Sequence, residues 1–368
     1  MVVSPRRRLA WFAAVAFIAM FGLGEMASFV VQSAGPDSWW GIDLKLVLDA
    51  GSRLAAGADI YSDPRFLYPP LAAVVGEPLA PLPFDAVSLV YAGLKVAIAV
   101  ACVASLTGGW RLAARVLAVV GLVMCLPFLH DVMLGNANVV LVAAALPALM
   151  GPRRSVSGVL LGLATAVVAK PFVVPIYLWL LVWRRSVFLG AVVTGLAGTA
   201  FGAVIAGPAT YVDWVAALAA GTRFAAPFVG NHGVTALVPE LWLPVAAVVG
   251  VGLVLVLLRR GPDTGLAWAV TAGLLLAPYA GTYSALPIAL ALPGMAILAP
   301  SMALLVVAVS PIATTHPLPI YAAAILIGAL AYRESRTGAE RRVGAGRWVW
   351  PWPRRDKPAD PVTPEVAQ

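Results

Sequence analysis

The sequence predicts an all-α polytopic membrane protein, and three observations carry that expectation. Of its 368 residues, 61% are Ala, Val, Ile, Leu, Met, Phe, Trp, Tyr or Cys and only 11% are charged, whereas soluble domains carry about 25% charge. Mean hydropathy is +0.91. Apolar stretches of helical length recur along the chain, separated by short turns that bear arginine. Finally, 19 of the 25 Lys and Arg fall in alternate turns and in the C-terminal segment: Arg6 to Arg8, Arg111, Arg115, Arg153, Arg154, Arg184, Arg185, Arg259, Arg260, and from Arg333 onward. This positive-inside pattern puts both termini in the cytoplasm. It also explains the net charge of +8 without nucleic acid, which would call for basic residues interleaved with aromatics on one solvated face. Disorder and a secreted disulfide scaffold fail on the same composition.

The first element is an apolar run from Leu9 to Val31 behind a basic start. It is too long for a signal-peptide core, so it reads as an uncleaved span entering from the cytoplasm. Further spans follow at approximately 87–107, 112–129, 136–150, 156–169, 171–183, 187–206, 243–258, 264–280, 285–299, 301–314 and 318–332. The count is ten to twelve. The runs 156–183 and 285–314 could each be one long helix kinked at Pro171 or Pro300, but dividing both keeps Arg184, Arg185, Arg259 and Arg260 inside, which favours twelve. Residues 1–332 thus form a single transmembrane domain. The tail 333–368 is basic, Pro-rich and largely disordered, with Trp348, Trp350 and Trp352 suited to the inner leaflet surface.

On this topology the outer segments hold His130, His232, His316, ten of the seventeen acidic residues, and the two long loops 32–86 and 207–242. The inner turns carry little but arginine. A site on the outer face follows from that asymmetry, against the plain alternative that outer loops are solvated and tolerate polar residues. Cys102 and Cys125 lie at different depths, so no disulfide joins them. No Cys and His set has zinc spacing.

Within the first outer loop, Leu44, Val47, Leu48, Gly51, Leu54 and Ala55 recur at helical spacing, with Lys45, Asp49, Ser52 and Arg53 on the other face. The pattern predicts an amphipathic interfacial helix over about 43–57, ended by Gly57 and too short and charged to span. Trp39 and Trp40 before it suit the headgroup region. Asp43 has two compatible readings: an N-cap accepting from the free amides of the first turn, and a general base at the lipid and water boundary. Two charges lie inside spans at similar depth, Glu25 and Lys95, and are expected to form a structural ion pair joining the first two spans.

The order of span, Asp43, helix, GADIY (Gly57 to Tyr61) and FLYPP (Phe66 to Pro70) resembles the start of glycosyltransferase family 87. LGNANVVLV (Leu134 to Val142) is similar to that family's GQxN segment, and GLATAVVAKPFVVP (Gly162 to Pro175) to its G-L-A and K-x-x-P segment. GNHGV (Gly230 to Val234) resembles its N-Q-S segment, and LLLAPYAGTYSALP (Leu274 to Pro287) its S-P-x-S-W-x-H-Y segment.

The resemblance implies a GT-C membrane fold and a polyprenol-phosphate-mannose-dependent alpha-1,2-mannosyltransferase or a relative. Sugar would pass from a polyprenyl-phosphate donor to a glycolipid or glycan acceptor at the outer face of the cell membrane. Asp43 matches the family's base. Inverting transfer from a phosphate leaving group needs a base and cations but no acid, so neither metal nor cofactor is expected. Asp59 and Asp63 leave a weaker metal alternative open. Lys170, at the turn between two short spans, reads as a donor-phosphate contact or as a snorkelling or structurally paired lysine. Arg223 and Arg65 are second-choice phosphate contacts.

One departure from the family stands out. Tyr283 occupies its His position, and a phenol can donate a hydrogen bond to phosphate but supplies no cation. Either His232 or His316 substitutes, or the donor differs, or activity is lost. Asn231, Asn138 and Asp63 complete the candidate site. A transporter or flippase of a lipid-linked sugar and a non-catalytic assembly protein are the rival classes, although the sequence shows no internal repeat and few polar groups at mid-membrane depth.

Overall fold

In a computed structural model, described residues are 40–106, 112–123, 126–225, 242–259 and 261–277, with Ser284 and Leu286. Their regular structure is helical throughout, with no strand among them. Two helices, over Phe84–Ser105 and Arg185–Ala206, are long and apolar enough to cross a membrane, and a bent pair would supply a third. The expected stretches 9–31, 301–314 and 318–332, all but Leu286 of 285–299, and the tail lie outside the described residues.

Helix α1 (Ile42–Ala55) is followed by α2 (Pro70–Gly76) and a 3-10 turn, Glu77–Leu79. Gly57 ends α1 as expected. Its φ of 65° lets its amide reach Leu54 O at 3.0 Å while the Ala58 amide reaches Arg53 O at 2.8 Å, a paired closure that satisfies two free carbonyls. The start differs from one reading of Asp43. Gly41 is the N-cap, at φ 68°, so Asp43 sits in the first turn and caps nothing with its side chain. The buried set also extends beyond one stripe, to Leu44, Leu46, Leu48, Ala50 and Gly51, because α1 is covered on two sides. Gly51 lies against Gly76, where an added Cβ would fall 2.5 Å from its carbonyl carbon. Leu44 meets Gly135 on the other side.

The long helix α3 (Phe84–Leu106) pairs with α4 (Leu112–Val123). The stretch read as one span over 112–129 is instead divided between α4 and α5 (Leu126–Leu134), and α5 meets α6 (Asn138–Met150) at a bend of 117°. Gly135, with φ 69°, forms the elbow.

After a 3-10 turn at Ser155–Gly158 come α7 (Val159–Val167), α8 (Val173–Trp183) and α9 (Arg185–Ala206). Gly158 faces Val187 and Ala191, Gly162 faces Ala191 and Gly195, and Ala166 faces Gly198. Both sets of numbers rise together, so α7 and α9 run parallel. The intervening α8 must therefore return, which is the division expected at Pro171. Small residues at this seam let the backbones approach closely, the dominant route to helix association where lipid is as apolar as the side chains.

Helix α10 (Ala209–Ala225) occupies part of the segment expected to be a long loop, and Trp214 Nε1 donates to Leu67 O at 3.1 Å. Helices α11 (Trp242–Arg259) and α12 (Pro262–Leu276) form a hairpin, with α12 antiparallel to α8 through Gly265 against Trp179 and Gly273 against Phe172. The main core joins α6, α7, α8, α9, α11 and α12 through Leu141, Leu161, Ile176, Val187, Leu257 and Ala269.

Candidate functional site

The site forms where the start of α1 docks on the α5–α6 elbow. The Gly41 amide donates to Met133 O at 2.6 Å, and Leu44 packs over Gly135, where a Cβ would lie 2.8 Å away. That docking aims the first turn of α1 at Asn136. Asn136 Nδ2 donates to Asp43 Oδ2 at 2.6 Å, across 93 positions of sequence. Its Oδ1 accepts from the Ala137 amide at 2.8 Å, which fixes the amide with its NH2 toward the carboxylate.

The elbow itself is held by charge. Lys95, midway along α3, donates to Asp131 Oδ1 at 3.1 Å, to Asn136 O at 2.9 Å, and to Asp131 O. Lys95 and Asp131 side chains are both 0% exposed. Asp131 Oδ2 accepts from the Asn138 amide at 3.0 Å, and the Val139 amide also donates to this carboxylate. A side chain of α5 thus caps the free amides that open α6, and its negative charge suits the positive end of that helix. Tyr91 OH donates to Asn136 O at 3.2 Å, and its ring lies 4.9 Å from Lys95 Nζ. Lys95, Asp131, Tyr91 and the Asn136 backbone therefore all have partners, as burial demands.

Burial holds the Asp43 carboxyl above its ordinary range, opposed in decreasing order by the Lys170 charge, the Asn136 hydrogen bond and the Lys95 charge. Lys170 belongs to the turn between α7 and α8, part-buried, with its Nζ 5.4 Å from the Tyr68 ring centroid. Tyr68 O in turn accepts from Tyr61 OH at 2.9 Å. The FLYPP stretch is thus a packed wall, with Phe66 fully buried against both tyrosines, and Lys170 rests on it within electrostatic reach of Asp43.

Of the residues singled out from sequence, Asp43, Lys170, Lys95 and Asn138 gather here, Asn138 buried at the first residue of α6. Arg65 does not join them: its guanidinium is forked onto Asp63 at 2.8 and 3.1 Å, with 63% of its side chain exposed. That contact lowers the Asp63 carboxyl below its usual range. Lys95 takes Asp131 as its partner, and Glu25 lies outside the described residues. So do Asn231, His232, Tyr283, His316 and the side chain of Arg223. Sequence reasoning missed Asn136, Asp131 and Tyr91. Only the elbow carried a signal: Gly135, Asn136 and Asn138 interrupt the apolar runs on either side and mark a break in the helix, but nothing in the sequence says which side chains it meets.

Among the described residues no group of three His, Cys, Asp or Glu could hold a metal. What the constellation can do is take up a proton at Asp43, whose second oxygen has no hydrogen bond from the described residues, within electrostatic reach of the positive charge of Lys170.

Glycosyltransferase family 87 matches residues 66–311. No curated protein and no solved structure matches.

Proposed function

The chain belongs to glycosyltransferase family 87, and on that premise we propose that it transfers a sugar, mannose first among the choices, from a polyprenyl phosphate to a glycolipid or glycan acceptor at the outer face of the cell membrane. The observation that carries the reading is the Asp43 carboxylate, tied at one oxygen by Asn136 and set within electrostatic reach of Lys170.

Asp43 takes the proton of the acceptor hydroxyl as that oxygen attacks the anomeric carbon. The bond from that carbon to the phosphate oxygen breaks, and its electron pair leaves on the polyprenyl phosphate. One displacement inverts the anomeric configuration. A base whose proton affinity is raised by burial is better matched to this step than a solvated aspartate. Lys170 neutralises the departing phosphate, with Arg223, Tyr283 and, once freed from Asp63, Arg65 as further contacts. Asn231, His232, His316 and Asn138 line the remainder of the proposed site. Twelve spans with both termini inside would place this end of the molecule in the outer leaflet.

The test is transfer by membranes containing the chain, supplied with a labelled polyprenyl-phosphate sugar or a labelled nucleotide sugar. The reading predicts product from the lipid donor alone, with the anomeric configuration inverted. Label that only crosses the bilayer without forming a new glycosidic bond would identify a flippase instead.

A further inference from the structure

The proposed base has one oxygen held and one with no hydrogen bond from the described residues, and the residue that holds it is itself clamped. Asn136 is 1% exposed. Its side-chain Oδ1 is occupied by the Ala137 amide, its backbone amide donates to Asp131 O at 3.0 Å, and its carbonyl receives both Lys95 and Tyr91. Four contacts from α3 and the α5–α6 elbow therefore determine where a single Nδ2 points, and it points at Asp43 Oδ2.

We propose that Asn136 is the positioning residue of the site: it ties Oδ2 of Asp43 and so presents Oδ1 to the acceptor hydroxyl. The inference rests on the reading of Asp43 as the base. A carboxylate in the first turn of a helix is otherwise drawn to the positive end of that helix and its free amides, where both oxygens could be consumed. The Asn136 amide competes with that capping geometry. It also donates to the carboxylate, and so favours its ionised form against the burial that opposes it. The charged and titratable groups facing Asp43 are Lys170 from the α7–α8 turn and Lys95 and Tyr91 from α3, with Asp131 of α5 neutralising part of the Lys95 charge. Lys95, Tyr91 and Asp131 meet Asn136 through its backbone, so a side-chain substitution there leaves their partners in place.

The experiment uses the full chain in lipid nanodiscs. The infrared carboxyl band of Asp43, identified by its loss in Asp43→Asn, is titrated in the unmutated chain and in N136A and N136D. Both variants should move the titration of that band to higher pH, N136D further because it sets a second carboxyl against the first. Folded N136A should also lose at least about tenfold in kcat at neutral pH with KM for the polyprenyl-phosphate donor unchanged, and should recover part of that loss as the pH rises. A buried residue that merely supports the fold would leave the Asp43 band where it was, and an unmoved band in both variants overturns the proposal. The band reports on the Asn136 to Asp43 link without any turnover. Transfer retained in Asp43→Asn would therefore count against the base reading, and an unmoved band against Asn136.

Discussion

Lys95 and Asp131, 36 positions apart, form an ion pair at 3.1 Å with both side chains fully buried. The pair pins the α5–α6 elbow to the middle of α3, and the elbow carries Asn136. Removing one partner strands the other charge in a low-dielectric interior, a loss of about 3–5 kcal/mol, whereas removing both leaves no orphan. Lys95→Met should therefore lower the thermal midpoint in detergent well below that of the double variant K95M/D131N, which keeps an acceptor for the Asn138 amide. Equal midpoints for single and double variants would show that the pair is not coupled.

The fold rests on close contact between α7 and α9. A leucine at Gly162 would drive its side chain into Ala191 O and the Gly195 amide, so Gly162→Leu should cost at least about 1–3 kcal/mol by overpacking and reduce the folded yield. Gly250 in α11 offers the contrast, since nothing among the described atoms lies within 4 Å of an added Cβ. Gly250→Ala should leave the thermal midpoint unchanged or raised, because alanine is the better helix former.

Much of this fold is legible in the sequence, and the reasons it is not wholly so are specific. The helix ending at Gly57 is readable because apolar spacing and a glycine terminator agree. The reversal near Lys170 is readable from Pro171 together with the arginine count. The division between α4 and α5 is hidden because the apolar run through 112–129 continues across it, and hydropathy registers composition rather than direction. Asn136 is hidden for a different reason: its partner Asp43 is 93 positions away, and only the docking of α1 on Gly135 brings them together. Lys95 was legible as a buried charge that must be paired, but Asp131, which lies 36 positions away, was not legible as a partner.

Asp43 is held in a protonation balance that favours function over stability. Burial raises its folded pKa, so its contribution to stability is fully present below the unfolded value near about 3.9 and is lost as pH rises through the folded value. At neutral pH the ionised carboxylate is a cost. Asp43→Asn should therefore raise the thermal midpoint at pH 7 while removing transfer, and the gain should disappear at pH 3. A lower midpoint at pH 7 would contradict the sign.

Lys170 and Arg65 were both candidates for the donor phosphate, but their surroundings differ. Lys170 lies in a part-buried turn within electrostatic reach of Asp43, whereas Arg65 is exposed and engaged by Asp63. Lys170→Met should raise KM for the polyprenyl-phosphate donor and lower kcat by about tenfold or more. Arg65→Ala should change both by less than about threefold, since an exposed ion pair contributes little. The steady-state constants of the two variants decide the ranking.

If Asp43 accepts the proton of the acceptor hydroxyl, its loss should stop transfer without loosening the donor. The decisive experiment measures sugar transfer from a polyprenyl-phosphate donor in proteoliposomes holding the unmutated chain or Asp43→Asn, with donor binding measured on the same preparations. Retained donor binding with transfer reduced by about 10²-fold or more is the predicted result; transfer at the unmutated rate in Asp43→Asn would contradict it.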